Sequence, residues 1–320
     1  MQELAVSIPT YKRPALLRRN LQALAPQCLL HGVRIHVFDD SCSGINQDVY
    51  KEIAEQWPCL DVHKNESNLG IDLNIDQCIS VPIARYVWMI GEDDLAAEGA
   101  IAAILEELKK KPDYLFLNYQ YISNNYQKLL HIAIPNAPDG IISAGEFFRD
   151  HGWAVGFLGA NVVNKQHWDT GMQKFMGTYF SHVGKIFSAL HPGSQISAIS
   201  RPVVFNRAES LDSFTWINDC FEVNAGFGRM IEILCKDHSE WAIEANVCLE
   251  KFMSIMNIRN LKSIMVLRAH GVYNWQKYKM YMRGLPQSAI YAAVALIPVT
   301  LMSALYKPYR SLKKASLFGA

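Results

Sequence analysis

Two acidic clusters have the residue types and spacing to do chemistry: Asp39-Asp40 and Glu92-Asp93-Asp94. Each follows a run rich in Val, Ile and aromatic residues, Val33–Phe38 before the first and Arg85–Ile90 before the second. Such runs read as buried strands, so both clusters stand at strand ends. In a sheet of parallel strands the ligand lies beyond the carboxyl ends, and if both ends line one crevice, five carboxylates converge there. Desolvating an unpaired carboxylate costs on the order of several kcal/mol, so such a cluster requires a cation or water. A hard divalent ion, Mg²⁺ or Mn²⁺, suits carboxylate oxygens and would also bridge substrate phosphates. The local alternative is that Glu92-Asp93-Asp94 only caps the next helix, where acids suit the N-terminal dipole.

The elements that must position these acids alternate over the first 120 residues. Leu4–Ile8 reads as a strand, and Pro14 suits the start of a helix on which Leu16, Leu17, Leu21 and Leu24 recur. Helices are expected over Gln47–Gln56, from Asn68-Leu69-Gly70 to Ile79, and over Ala97–Lys110; strands are expected at Leu60–His63 and Tyr114–Asn118. That order favours βα units and a parallel sheet. Further on, Ser143–Asp150, His182–Leu190 and Phe221–Lys236 read as helices, and the chain beyond about residue 240 reads helical throughout.

Four stretches resemble the family-2 glycosyltransferases, which have the GT-A fold. They are Val6-Ser7-Ile8-Pro9-Thr10-Tyr11-Lys12-Arg13-Pro14, Val37-Phe38-Asp39-Asp40-Ser41-Cys42-Ser43, Asn68-Leu69-Gly70, and Tyr86-Val87-Trp88-Met89-Ile90-Gly91-Glu92-Asp93-Asp94-Leu95. They come in the family's order and at its spacing. The resemblance implies an α/β fold with a parallel-dominated, nucleotide-binding sheet and flanking helices. Residues 1–120 would form the nucleotide-sugar half and 121–245 the acceptor half. It implies transfer of a sugar from a nucleotide-diphosphate sugar to an acceptor hydroxyl, usually with inversion and a divalent metal. Pro9, Thr10, Tyr11 and Arg13 match the loop that lies against the nucleotide. Asp39 matches the acid that accepts a hydrogen bond from the base, with Asp40 and Ser41 beside it, and Asn68, Gly70 and Glu92 join the donor-binding set. Asp93 and Asp94 match the metal motif. Gly91 stands where a first acid often stands, a variant similar to members that build bacterial surface polysaccharide, including abequosyltransferase-like enzymes.

Inversion needs a base at the acceptor hydroxyl, typically contributing about 10²–10⁴-fold. The family's base is usually an Asp well past the metal motif, often in a Glu-Asp pair. No such pair occurs in that stretch, where Gly177-Thr178-Tyr179-Phe180-Ser181-His182-Val183-Gly184 stands instead. His182 is a candidate base or metal ligand, since neutral imidazole serves either role, and the alternative is a satisfied histidine at a helix start. Asp212, with Asp169 and Glu209, offers a further base, and Asp94 acts with the metal. The segment His151–Gly159 mixes aromatics and glycines as a sugar-facing loop or as core.

With 320 residues, 50% hydrophobic and 19% charged, the chain can fill a large core and is not of the disordered class. Its net charge of +1 hides an asymmetry. Residues 1–250 hold 20 Lys+Arg against 30 Asp+Glu, while residues 251–320 hold 11 Lys+Arg and no acid. Seven cysteines with no CxxC pair read as reduced thiols, and the opening MQELAVSIPTYKRP lacks a signal-peptide pattern, so a cytoplasmic protein is expected. Between Gly284 and Tyr306 lie 23 uncharged residues, flanked by cations on both sides and broken by Pro286 and Pro298. About 20 apolar residues can span a bilayer, but two-sided cations fit better with a helical region over 246–320 lying on an anionic leaflet, the inner face of the cell membrane. A lipid-linked glycan acceptor suits that location. An aliphatic run between the charges argues against nucleic acid. No Gly-x-Gly-x-x-Gly turn or phosphate-binding Gly-x-x-x-x-Gly-Lys loop occurs, which excludes dinucleotide dehydrogenases and P-loop enzymes. The alternative from another class is a catalytically silent carbohydrate-binding or scaffold protein of the same fold.

Overall fold

A computed structural model describes residues 2–168, 172–208, 219–282 and 286–313. The first half runs β1 (Gln2–Thr10), α1 (Pro14–Leu30), β2 (Arg34–Asp39), α2 (Gln47–Gln56), β3 (Leu60–Lys64), α3 (Ile71–Ser80), β4 (Ala84–Met89), β5 (Leu95–Ala96), α4 (Ala100–Leu108) and β6 (Tyr114–Ser123). Then follow β7 (Leu129–Ile132), β8 (Gly140–Ser143), α5 (Ala144–His151), β9 (Asn161–Asn164), α6 (Ser181–Ser188) and β10 (Gln195–Ala208). The chain ends in helices: α7 (Cys220–Asp237), α8 (Ala242–Ile255), α9 (Leu261–Ala269), α10 (Trp275–Met282), α11 (Ser288–Leu296) and α12 (Val299–Lys313).

One sheet carries the order β3-β2-β1-β4-β9-β6-β10-β5, with β7 on β6 and β8 on β10. Its first four strands are parallel, and β1, β2 and β4 are mostly buried runs of the kind both-face coverage requires. The expectation of a parallel-dominated sheet is corrected beyond them. β9 inserts antiparallel between β4 and β6, and β5, β7 and β8 are antiparallel to their neighbours, so the sheet is mixed. The turn after β4 therefore sits where the pairing direction changes. Register sets Thr10 opposite Asp39 and Ser7 opposite Met89, which brings the ends of β1, β2 and β4 to one edge.

The main core gathers Val6, Ile8, Val37, Trp88 and Met89 from the sheet with Leu17, Leu21 and Leu24 of α1, and extends to Trp241, Cys248 and Phe252 around α8. A second core begins with Cys220 and Phe221 and includes Ile264, Leu267, Tyr278, Tyr291, Val294 and Met302 from the last four helices, with Tyr273 from the connection between α9 and α10. Among the described residues no single helix is long and apolar enough to cross a membrane. α11 and α12 meet that test only together, bent by 101° at their break. Their inner sides supply Tyr291, Val294 and Met302 to the second core, while Ile290, Leu296, Leu301 and Leu305 are exposed.

Candidate active site

Gly91-Glu92-Asp93-Asp94 forms a tight turn at the end of β4, closed by Asp94 N–H donating to the Gly91 carbonyl at 3.1 Å. Its carbonyls are anchored from two sides. Asn20 of α1 donates through Nδ2 to the carbonyls of Gly91 and Asp94, each at 2.9 Å. The Tyr126 hydroxyl donates to the Asp93 carbonyl at 2.8 Å. With the backbone held from behind, the three carboxylates take separate tasks.

Glu92 clasps the loop after β1. It accepts from the Thr10 hydroxyl and, at 3.0 Å, from the Tyr11 amide, and Arg13 Nε lies 3.6 Å from its other oxygen. Burial pushes the Glu92 carboxyl up to about 7, against the pull of Thr10 and Arg13. Asp93 faces Arg13 at 3.4 Å, and burial raises its pKa despite that guanidinium. Asp94 is nearly inaccessible, and its pKa is driven well up, first by burial and then by Asp93 beside it. The amides of Arg207 (3.3 Å) and Gly91 oppose that rise.

Gly91 explains the missing first acid. A Cβ there would lie 2.6 Å from Asp94 Oδ2 and 3.3 Å from Asp93 Oδ1, so both carboxylates fold into the space a side chain would fill. Two oxygens from neighbouring desolvated carboxylates over one point fit a hard divalent cation, which would relieve their repulsion. Among the described residues no set of three His, Cys, Asp or Glu side chains converges on a metal position, so protein ligands from this turn would number two.

The expected pool of five carboxylates does not form, because Asp39 and Asp40 bind their own surroundings. Asp39 accepts from Ser41 N–H (2.9 Å), Asn46 Nδ2 (3.1 Å) and Tyr50 OH (2.6 Å). Burial would raise its pKa, but these donors outweigh it and the net shift is downward. Asp40 accepts from Leu69 N–H (2.8 Å), Gly70 N–H (3.0 Å) and Asn65 Nδ2 (3.0 Å), which fixes the loop that opens α3. Gly70 there has φ of +77°, a left-handed conformation that costs glycine little. Asn68 Oδ1 also accepts from the Gly70 amide at 2.8 Å. Ser41 Oγ accepts from Lys12 N–H at 2.8 Å, so the β1 loop bridges the two strand ends. Pro9 is buried in β1, and Tyr11 is exposed at the loop's crest.

His182 lies at the start of α6, only 4% exposed. Its Nε2 is 3.2 Å from the Val155 carbonyl, Nδ1 has no partner, and burial lowers its pKa to about 4. No hydrogen bond links it to the acidic turn. The segment before β9 is packed rather than open: Asn161 Nδ2 donates to the carbonyls of Val155, Phe157 and Leu158, and the Phe157 ring tilts on Tyr119 at 4.3 Å. Asp212, Asp169 and Glu209 lie outside the described residues.

Asn20, Tyr126 and Arg207 are contributors that sequence reasoning missed. Asn20 left a signal, a polar residue three positions after Leu17 on an apolar helical stripe. Tyr126 and Arg207 left none, since they reach the site only through the hairpin after β6 and the end of β10.

Comparison with known proteins agrees with this layout. Residues 5–170 match Glycosyl transferase family 2. Abequosyltransferase RfbV of Salmonella typhimurium is 25% identical over 229 residues, spanning 65% of this chain and 67% of the relative. The fold is similar to crystal structures of S. aureus TarS 1-349: with UDP-GlcNAc bound, the TM-score is 0.61 at 12% identity over 97% of this chain and 92% of that one. TarS 1-349 alone gives 0.59 at 12%, over 98% and 92%. The match covers more than half the chain and contains β1, β2, β4 and the turn that holds Glu92, Asp93 and Asp94, so the chain belongs to glycosyltransferase family 2.

Proposed function

We propose that this glycosyltransferase moves a sugar from a nucleoside-diphosphate sugar to a hydroxyl of a glycan acceptor, lipid-linked, during bacterial surface polysaccharide assembly. The observation that carries the reading is the Asp93–Asp94 pair, held together and desolvated at the sheet's carboxyl edge beside Arg13. Support for the pathway comes from RfbV, an abequosyltransferase, and for the donor class from TarS, which binds UDP-GlcNAc.

In this reading the β1 loop and Asp39 bind the nucleoside, and Arg13 meets the diphosphate. Mg²⁺ or Mn²⁺ on Asp93 and Asp94 would supply positive charge to the departing diphosphate. Arg13 orients the phosphates, and Glu92 keeps the loop in register with the turn. A screen of UDP-, GDP-, CDP- and dTDP-sugars for cation-dependent thermal stabilisation tests this. Absence of stabilisation by every donor, with and without Mn²⁺, would leave the silent carbohydrate-binding reading in its place.

The base is better sought at Asp212 than at His182. His182 is enclosed, with its Nε2 on the Val155 carbonyl. Asp212 is five residues past Arg207 in the sequence, and the Arg207 amide donates to Asp94. His182→Gln is expected to lower turnover less than about tenfold, and Asp212→Asn at least about a hundredfold, the lower end of a base's contribution. Single-turnover rates that rank the two variants the other way would return the role to His182.

The exposed side of α11 and α12 would rest on an anionic leaflet. Ile290, Leu296, Leu301 and Leu305 face outward in a region of 11 cations and no acids. Each nearby cation adds about 1 kcal/mol at such a surface. Replacing Leu296, Leu301 and Leu305 together by Glu leaves the second core intact and should abolish co-sedimentation with phosphatidylglycerol vesicles. Undiminished co-sedimentation would refute the surface.

A further inference from the structure

The hairpin between β6 and β7 lies against the acidic turn, and a single side chain on it reaches three other elements. Tyr126 donates its hydroxyl to the Asp93 carbonyl at 2.8 Å. The Arg19 guanidinium of α1 covers its ring at 4.4 Å from the centroid, and that of Arg207 at the end of β10 lies at 5.7 Å. Arg207 also donates through Nε to the Asn124 carbonyl of the hairpin at 3.1 Å and through its amide to Asp94 Oδ1 at 3.3 Å.

The hairpin is built to hold this pose. Tyr126 has φ of +61°, a left-handed conformation that side chains rarely adopt. Its amide donates to the Ser123 carbonyl at 2.8 Å, Ser123 N–H donates to the Lys128 carbonyl at 2.9 Å, and Lys128 N–H donates to Ser123 Oγ at 3.0 Å. A strained residue persists when its surroundings over-determine it. Here the surroundings are a closed loop, two guanidiniums and one carbonyl.

Within the turn the consequence is directional. Asn20 takes the carbonyls of Gly91 and Asp94, and Tyr126 takes the one between Asp93 and Asp94. That peptide plane sets where both carboxylates point. We propose that Tyr126 is a positioning residue: by fixing the Asp93–Asp94 peptide it aims the two carboxylates at a divalent cation. This rests on the donor-and-cation reading above and adds to it a residue outside the matched motifs' acids. The hairpin's own hydrogen bonds keep Tyr126 in place, and its hydroxyl does the positioning.

The test is Tyr126→Phe in the full chain, which keeps the ring and removes one hydrogen bond. Mn²⁺ binding is titrated by electron paramagnetic resonance in a mixture of UDP, GDP, CDP and dTDP. A hydrogen bond of about 1 kcal/mol corresponds to roughly a fivefold weaker Mn²⁺ affinity, with nucleotide affinity without Mn²⁺ unchanged and the melting temperature lowered by no more than about 2–4 °C. Arg19→Gln, which weakens the stack but keeps the hydroxyl, should bind Mn²⁺ within about twofold of wild type. Wild-type Mn²⁺ affinity in Tyr126→Phe overturns the inference alone. An equal loss in Arg19→Gln also overturns it, by assigning the effect to charge. Failure of the wild-type chain to bind Mn²⁺ at all overturns both the inference and the cation reading beneath it.

Discussion

Asp94→Asn should reduce sugar transfer by about a thousandfold, the scale of removing a group that stabilises developing charge in a dry site. The same change should not weaken the cation-free fold. Asn keeps an oxygen for the Arg207 amide, now 3.3 Å from Oδ1. It also removes an acid whose folded-state pKa lies well above its ordinary value because it is buried and has Asp93 beside it. For a carboxyl raised on folding, the folded state holds the proton more tightly. Its contribution to stability is therefore greatest at low pH and is lost as pH rises through the folded pKa. At neutral pH the wild-type acid is a burden that Asn relieves. The melting temperature of cation-free Asp94→Asn should equal or exceed that of wild type, and its dependence on pH above about 5 should be flatter. Glu92, raised to about 7, contributes with the same sign in both proteins. Calorimetry from pH 5 to 8 beside transfer assays checks both halves. A variant that both unfolds early and loses transfer would show Asp94 to be scaffold rather than site.

The largest expected loss of stability comes from a glycine. A Cβ at Gly226 of α7 would lie 2.0 Å from the Thr178 carbonyl oxygen and 2.9 Å from its carbon. Both are backbone atoms, so no rotamer change relieves the clash, and the helix or the strand of chain before α6 must move. Overpacking of that kind costs about 1–3 kcal/mol or more. At about 2–4 °C per kcal/mol, Gly226→Ala should melt roughly 5–10 °C lower. Gly228, two positions on, is the control. Its nearest neighbour to a new Cβ is Leu249 at 4.0 Å. There Ala should stabilise by about 1 kcal/mol through helix propensity. Thermal melts of the two variants should move in opposite directions; a shared direction would refute the packing at Thr178.

The sequence carried the first half of the fold because its strands are unbroken apolar runs between turn residues. Expected and observed elements coincide at Gln47–Gln56 and differ by a residue or two at β2, β3 and β4. β9 escaped because Asn161-Val162-Val163-Asn164 is four residues long with polar ends. β10 escaped for another reason: Pro202 interrupts it, and its register against β6 shifts between Ile199 and Val204. Proline cannot donate to a ladder, so a strand containing it reads as two fragments. Without β9, which runs antiparallel between β4 and β6, the sheet looked parallel-dominated. The acidic turn was legible because local chemistry marks it, yet the fate of each acid was not. Asp39 and Asp40 turn toward Tyr50, Leu69 and Gly70, partners that only the fold brings within reach.

Helix α3 has a consequence for recombining relatives of this chain. Asp40 binds the amides that open it, and in its first turn Asp72 accepts from the Gly177 amide at 2.9 Å and from the Ser181 hydroxyl. One ten-residue helix thus fastens the parallel side of the sheet to the segment leading into α6. A chimera that joins the amino half of one parent to the carboxyl half of another would need Asp72, Gly177 and Ser181 from the same parent. A crossover placed between α3 and α6 would sever that fastening wherever the two parents solved it with different residues.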